Sequence, residues 1–433
     1  MKDLKKLISE MTLEEKAGIC SGADFWHTKA VERLQIPDMM MSDGPHGLRK
    51  QDLEGDHLGV NDSIKAVCFP AGCAMASSFD RELLHRVGET LGKECQAENV
   101  GVILGPAVNI KRSPLCGRNF EYYSEDPYAA SEIATAHIEG VQSQNVGTSI
   151  KHFCLNNQET RRMSISAEVD ERTMHEIYLS AFEGAVKNAK PWTVMCSYNR
   201  INGVFGSENQ ETLTDILRKR WGYEGFVVSD WSAVNDRVPG LKAGLDLEMP
   251  SSFGENDALI VEAVKKGELD EAVVDQAVER ILNIVYKAQE GRKENVVFDR
   301  DADHELAREI AGETLVLLKN EETVLPLAKK YKKVAVIGYH AADRYCMLGD
   351  YTPPVPENEC VTVLQGMKQE APEGVEVSYA MGSGFSEADA DEKAKALALA
   401  KESDVIVAVV GGSSSRFGGA VFDANGAASK GTG

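Results

Sequence analysis

The chain has 433 residues, and 47 Lys and Arg against 68 Asp and Glu leave a formal charge of −21. That length suggests roughly two or three domains at about 150 residues each. The acidic balance excludes a sequence-independent nucleic-acid binder and docking on an anionic membrane, which need a basic surface, and a 43% share of hydrophobic residues excludes a disordered chain.

The N-terminal stretch MKDLKKLISEMTLEEKAG is charged and amphipathic. It lacks the apolar core and cleavage site of a signal peptide, and no apolar run reaches the length of a membrane span. Nine scattered cysteines include no Cys-x-x-Cys pair. They are expected to be reduced thiols packed inside a soluble cytoplasmic protein.

Short apolar runs bounded by Gly, Pro or Asn predict strands at 39–42, 102–105, 148–151, 193–197, 226–229 and 245–248. Helical patterns lie between them. The clearest covers 171–190, with Asp170 as N-cap and Met174, Ile177, Ala181, Phe182, Ala185 and Val186 on one face. Strand–helix alternation implies parallel strands with right-handed crossovers. Six strands rather than eight predict an irregular or partly collapsed (β/α) barrel.

Two closing helices are expected over 259–288, a charged linker over 292–304, and a helix over 306–319 with Ala311, Leu315 and Leu318 inward. A second α/β unit comes next, with strands at 333–338, 375–379 and 405–410 and a helix over 387–403. The expected domains are a TIM-like barrel over 1–291, a linker and connecting helix over 292–330, and a partial α/β sandwich over 331–433.

The residues ending the first six strands are polar: Asp43, then Asn109 with Lys111 and Arg112, Lys151 with His152, Tyr198 with Asn199, Asp230 with Trp231, and Glu248. In a barrel enzyme that end carries the chemistry, although any strand end meeting water turns polar. Asp230 in VVSDW is suited to act as nucleophile or general base, or to cap the next helix. Lys151 and His152 suit hydroxyl or phosphate binding, or are a surface lysine beside a core histidine. Asp43 sits in a Gly/Pro-braced turn, and a turn Asp needs no further role. Arg118 lies in an aromatic and acidic stretch. No His-x-x-x-His, HExxH, GxSxG or glycine-rich phosphate loop occurs, so no metal or cofactor is expected.

Taken together, MTLEEKAG, MSDGPHGLRK, CFPAGCAMASSFD, GPAVNIKRSPLCGRNFEYYSEDP, KHFCLNNQETRR, MCSYNRINGV, GFVVSDW and AGLDLEMP resemble glycoside hydrolase family 3, in its bacterial β-glucosidase branch. LVLLKNEETVLPL and KKVAVIG resemble that family's entry into its second domain. The resemblance implies a (β/α) barrel followed by an α/β sandwich, and retaining hydrolysis of terminal β-linked glucose. Asp230 would be the nucleophile. Asp43 would accept from sugar hydroxyls, with Arg49, Arg118, Lys151, His152 and Arg162 donating around the ring. Tyr198 would lie near the nucleophile, Trp231 against the sugar, and Met195 beside them.

The partner acid/base is, by resemblance, a Glu in strings such as ESEGFDR or CGEG. Neither string occurs, and GGSSSRF resembles the lead-in to that region. The chain is therefore expected to be truncated within its second domain, with the acid/base beyond Gly433. Glu387 and Glu402 fall in helical patterns and are poor substitutes. The expected partners are β-glucosides or small oligosaccharides, with no nucleic acid and no membrane, and a homo-oligomer is left open. A β-xylosidase and a sugar-binding fragment without turnover stay open as alternatives. A β-N-acetylhexosaminidase is disfavoured because KHFCLNNQE lacks Pro-Gly-His, and a phosphate-handling lyase because no phosphate loop supports it.

Overall fold

A computed structural model describes residues 3–51, 63–327, 330–344, 360–384 and 388–411, and the backbone of an antiparallel pair, Val421–Phe422 with Ala428–Ser429. Cys346, Glu387 and the GGSSSRF string past Gly411 lie outside the described residues. Two compact units divide the chain, one built mainly on Met1–Thr314 and the other opening at Leu315.

Five parallel strands run side by side in the first unit: Met41–Asp43, Val102–Leu104, Gly147–Phe153, Thr193–Cys196 and Phe226–Val228. Their residues are almost all buried, as expected of strands covered on both faces. The expected sixth strand at 245–248 is reduced to single bridges, Leu247 to Val228 and Glu248 to Ser21. The cause is local: the Asp246 carboxylate accepts the Val227 N–H at 2.7 Å, taking a donor that a ladder carbonyl would otherwise use. The ring then closes through Gly22 to Thr28 and His27 to Met40, just ahead of the first strand. The result is the irregular barrel that six strand signals predict.

Helices Arg81–Ala97, Pro127–Ser143 and Ser180–Ala189 pack in turn around this sheet. The first two touch backbone to backbone. A Cβ on Gly88 would lie 2.4 Å from the His137 carbonyl, and one on Gly140 would lie 2.2 Å from that of His85. The predicted helix at 171–190 is present, and Asp170 caps it by accepting from the Thr173 N–H. It is broken, however, by a π-wound turn at Met174–Tyr178. The wider turn shifts the phase, so Tyr178 takes the inward place and Ile177 is exposed. Closing helices Glu255–Lys265 and Glu271–Gly291 lie close to expectation.

The connecting helix differs more. It spans Arg300–Glu313, beginning within the predicted linker because Asp299 caps it, accepting from the Asp301 and Ala302 N–H groups. Leu315 and Leu318, expected inward, lie beyond its end and are 82% and 91% exposed. Among its described residues the second unit holds three parallel strands in the order Glu376–Ala380, Lys333–Ile337, Val405–Ala408, with helices Val363–Gln369 and Ala390–Glu402. Among the described residues no helix is long and apolar enough to cross a membrane.

One buried charge has a measurable signature. Glu94 is fully buried, with Oε1 accepting from the Val67 N–H at 3.3 Å. Burial pushes its carboxyl from 4.5 up to about 8. Between these values the folded chain keeps a proton that the unfolded chain releases, so stability falls as pH rises. The stability conferred by that proton is full below about 4.5 and gone once the pH passes about 8. Glu94→Gln cannot ionise, so its melting temperature relative to wild type should climb by several degrees across that window. Parallel melting curves at each pH would disprove this.

Candidate active site

Because the barrel strands are parallel, their C-terminal ends gather on one side. Asp43 ends the first strand, and Lys151 and His152 stand near the end of the third. Tyr198 and Asp230 each lie two residues past a strand, after Cys196 and Val228. Arg49 bridges back to Asp43, while Arg118 and Arg162 come from the loops after the second and third strands.

The charged groups form a connected chain of alternating sign. Asp43 Oδ2 accepts from Arg49 Nη1 at 3.1 Å, and Asp43 Oδ1 lies 4.0 Å from Lys151 Nζ. Lys151 Nζ also lies 4.0 Å from Glu121 Oε2, and Glu121 Oε1 accepts from Arg118 Nε. Lys151 is 2% exposed, so the surface-lysine reading is excluded. The Asp43 carboxylate answers two cations, which a plain turn Asp would not do. Glu159 Oε2 accepts from Arg162 Nη1 at 2.9 Å, and the Arg162 guanidinium lies 4.4 Å over the Tyr198 ring.

Asp230 is 7% exposed. Its Oδ1 accepts from the Trp231 N–H at 2.7 Å, and its Oδ2 lies 3.7 Å from His152 Nε2. It does not cap the next helix, Arg237–Ala243, because Asp236 does so. Asn109 orients His152: its Oδ1 takes the His152 backbone N–H at 2.7 Å and lies 3.3 Å from Nδ1. Trp231 donates from Nε1 to the Phe25 carbonyl at 2.9 Å and stacks near Trp26, while the Tyr198 hydroxyl donates to the Trp231 carbonyl at 2.9 Å.

The contacts gather the sequence-predicted residues into two groups, Asp43, Arg49, Lys151 and Arg118 through Glu121, and Arg162, Tyr198, Trp231, Asp230 and His152, which meet where Lys151 and His152 adjoin in the chain. Met195 is 2% exposed, paired in register with Val228, and belongs to the core cluster against which Trp231 packs. Sequence reasoning misses Glu121, Glu159 and Asn156, all buried beneath the cations. A signal exists, since Arg118/Glu121 and Glu159/Arg162 each pair opposite charges three residues apart. Among the described residues no group of three metal-ligating side chains is placed to hold an ion.

This arrangement suits a polyhydroxylated ring. Cations and carboxylates in alternation offer charge-assisted donors and acceptors, the strong kind. Asp43→Ala removes one acceptor facing two cations, a loss of roughly 1.5–3 kcal/mol. Glucose affinity by calorimetry should fall at least about tenfold, and unchanged affinity would return Asp43 to a structural turn.

Residues 24–284 match the glycosyl hydrolase family 3 N-terminal domain, and residues 315–431 match its C-terminal domain. The thermostable β-glucosidase B of Acetivibrio thermocellus is 61% identical over 78% of this chain and 44% of its own length. The exo-α-(1→6)-L-arabinopyranosidase of Bifidobacterium breve is 43% identical over 93% of this chain and 54% of its own. A crystal structure of a family 3 β-glucosidase from Bifidobacterium adolescentis superposes with a TM-score of 0.81 at 45% identity, over 93% of this chain and 57% of that one. The chain spans about half the length of the curated relatives it matches. An irregular parallel barrel with a carboxylate-and-cation ring at its C-terminal end, matched by the family's N-terminal domain over most of the first unit, makes this chain a member of glycosyl hydrolase family 3.

Proposed function

We propose that the protein is a retaining β-glucosidase releasing terminal, non-reducing β-D-glucosyl residues through a covalent glycosyl-enzyme on Asp230. The observation that carries this reading is the state of that carboxylate. Its Oδ1 is held by the Trp231 N–H, while its Oδ2 is buried and makes no hydrogen bond among the described residues. The 61% identity to a thermostable β-glucosidase supports glucose as the sugar.

In the first step Asp230 Oδ2 bonds to the anomeric carbon as the glycosidic C–O bond breaks. The bonding pair leaves with the aglycone oxygen, which takes a proton from a general acid. In the second step water attacks the same carbon from the opposite face, gives up its proton, and frees Asp230. Two inversions retain configuration. The cation ring holds the hydroxyls while positive charge develops on the sugar. We assign the proton donor to neither Glu121 nor Glu159, because each is buried with its carboxylate already engaged by an arginine. Eight free cysteines among the described residues fit a reducing, cytoplasmic setting.

Incubation with a 2-fluoro glucoside bearing a good leaving group should trap the intermediate, and peptide mass spectrometry should locate it on Asp230. A label elsewhere overturns the reading. A second reading, a pentopyranosidase, is favoured by the 43% identity to an arabinopyranosidase. Ratios of kcat/KM for nitrophenyl β-D-glucoside, β-D-xyloside and α-L-arabinopyranoside separate the two, and a pentoside in the lead would displace glucose.

A further inference from the structure

The nucleophile stands at the end of a chain of contacts that begins on a carboxylate outside the sugar ring. Glu159 has a side chain only 4% exposed. Its Oε2 accepts from Arg162 Nη1 at 2.9 Å, and its Oε1 accepts from Asn156 Nδ2 at 3.2 Å. Asn156 is itself tied down: its backbone carbonyl accepts from the Tyr122 hydroxyl at 3.0 Å, and its Nδ2 donates back to that hydroxyl at 3.2 Å. Glu159 is therefore fixed on one side by a buried amide and on the other by a guanidinium.

From there the contacts run toward the chemistry. Arg162 lies flat enough on Tyr198 to place its guanidinium carbon 4.4 Å from the ring centroid. A cation so placed is attracted by the ring face. The Tyr198 hydroxyl donates to the Trp231 carbonyl at 2.9 Å, and the Trp231 N–H donates to Asp230 Oδ1 at 2.7 Å. The Trp231 backbone, tied at both its N–H and its carbonyl, decides which carboxylate oxygen is engaged and how the other is aimed.

We propose that Glu159 is a positioning residue for the nucleophile, holding Arg162 on Tyr198 and through them the Trp231 backbone that clamps Asp230. The proposal rests on the reading of Asp230 as nucleophile. Glu159 touches no reacting atom. Its contribution is to keep the attacking oxygen in line with the anomeric carbon, a placement for which an error of about 1 Å costs roughly 10²-fold in rate.

The test uses the full-length protein and inactivation by a 2-fluoro glucoside, which reports the covalent step alone. The wild type is labelled first, and a label on Asp230 secures the underlying reading independently of any variant. Glu159→Gln keeps the shape and removes the charge. Its inactivation rate constant should fall at least about tenfold while the inactivator's binding constant stays within about threefold. Tyr198→Phe keeps the ring under Arg162 and removes only the hydroxyl. It should lower the same rate constant with folding intact, which covers the case of a Glu159 variant that does not fold. A rate constant within about twofold of wild type in either variant overturns the proposal. So does a loss that disappears once rates are normalised to the folded fraction by circular dichroism, or one that falls wholly on binding.

Discussion

Asp230→Ala should lower kcat for a dinitrophenyl glucoside by at least about 10³-fold on the proposed reading of Asp230 as nucleophile, since losing such a member of a catalytic set costs nearly the whole catalytic advantage. The fold should survive, because among the described residues Asp230 Oδ2 has no hydrogen-bond partner to lose and Oδ1 answers the neighbouring amide. The truncated side chain also leaves space on the attacking face. Added azide should enter there, attack the anomeric carbon once, and yield an α-glucosyl azide, one inversion instead of two. Product anomer by proton NMR decides the matter. A β-azide, or a variant that keeps wild-type turnover, would remove Asp230 from its role.

Glu121→Ala should be the most destabilising single change at the barrel mouth. Glu121 and Arg118 have side chains 0% and 2% exposed, and Lys151, 3% exposed, lies 4.0 Å from the same carboxylate. Breaking a buried pair by deleting one partner costs roughly 3–5 kcal/mol, because the remaining charge has lost both water and counter-charge. At about 2–4 °C per kcal/mol for a unit of this size, the melting temperature should drop by roughly 6–20 °C. Replacing Arg118 by Met as well should recover part of that loss, and the double-mutant cycle measures the coupling. A Glu121→Ala melting temperature within about 2 °C of wild type would show that the pair contributes little.

Glu121 and Glu159 show where sequence reading stops. Asp43, Lys151, His152 and Asp230 are legible because each belongs to the end of a short apolar strand, and a strand end has a known direction. Glu121 and Glu159 lie in loops, where a carboxylate reads as one more solvated charge. What makes them different is burial against Arg118 and Arg162, and burial is a property of three dimensions. The barrel's count of strands is readable from apolar runs. Its manner of closure is not, since single bridges at Ser21, Gly22 and His27 leave no periodic trace. The connecting helix is misplaced by sequence because the apolar run at 315–318 resembles a helix face, while its true start depends on one cap, Asp299.

Closure by single bridges gives the barrel a soft margin. A ladder of several bonded pairs opens cooperatively, whereas an isolated bridge opens nearly alone. The amides of Gly22, Thr28 and Met41 should therefore exchange with solvent sooner than those of the central strands. Trp231 spans this margin, for its indole donates to the Phe25 carbonyl while its own backbone belongs to the far side. On the proposed reading, a sugar seated on Trp231 that binds the closed form would raise the cost of opening by RT ln(1 + [L]/Kd). The substrate would then act as the missing rung of the barrel, slowing exchange along that edge as it fills the site.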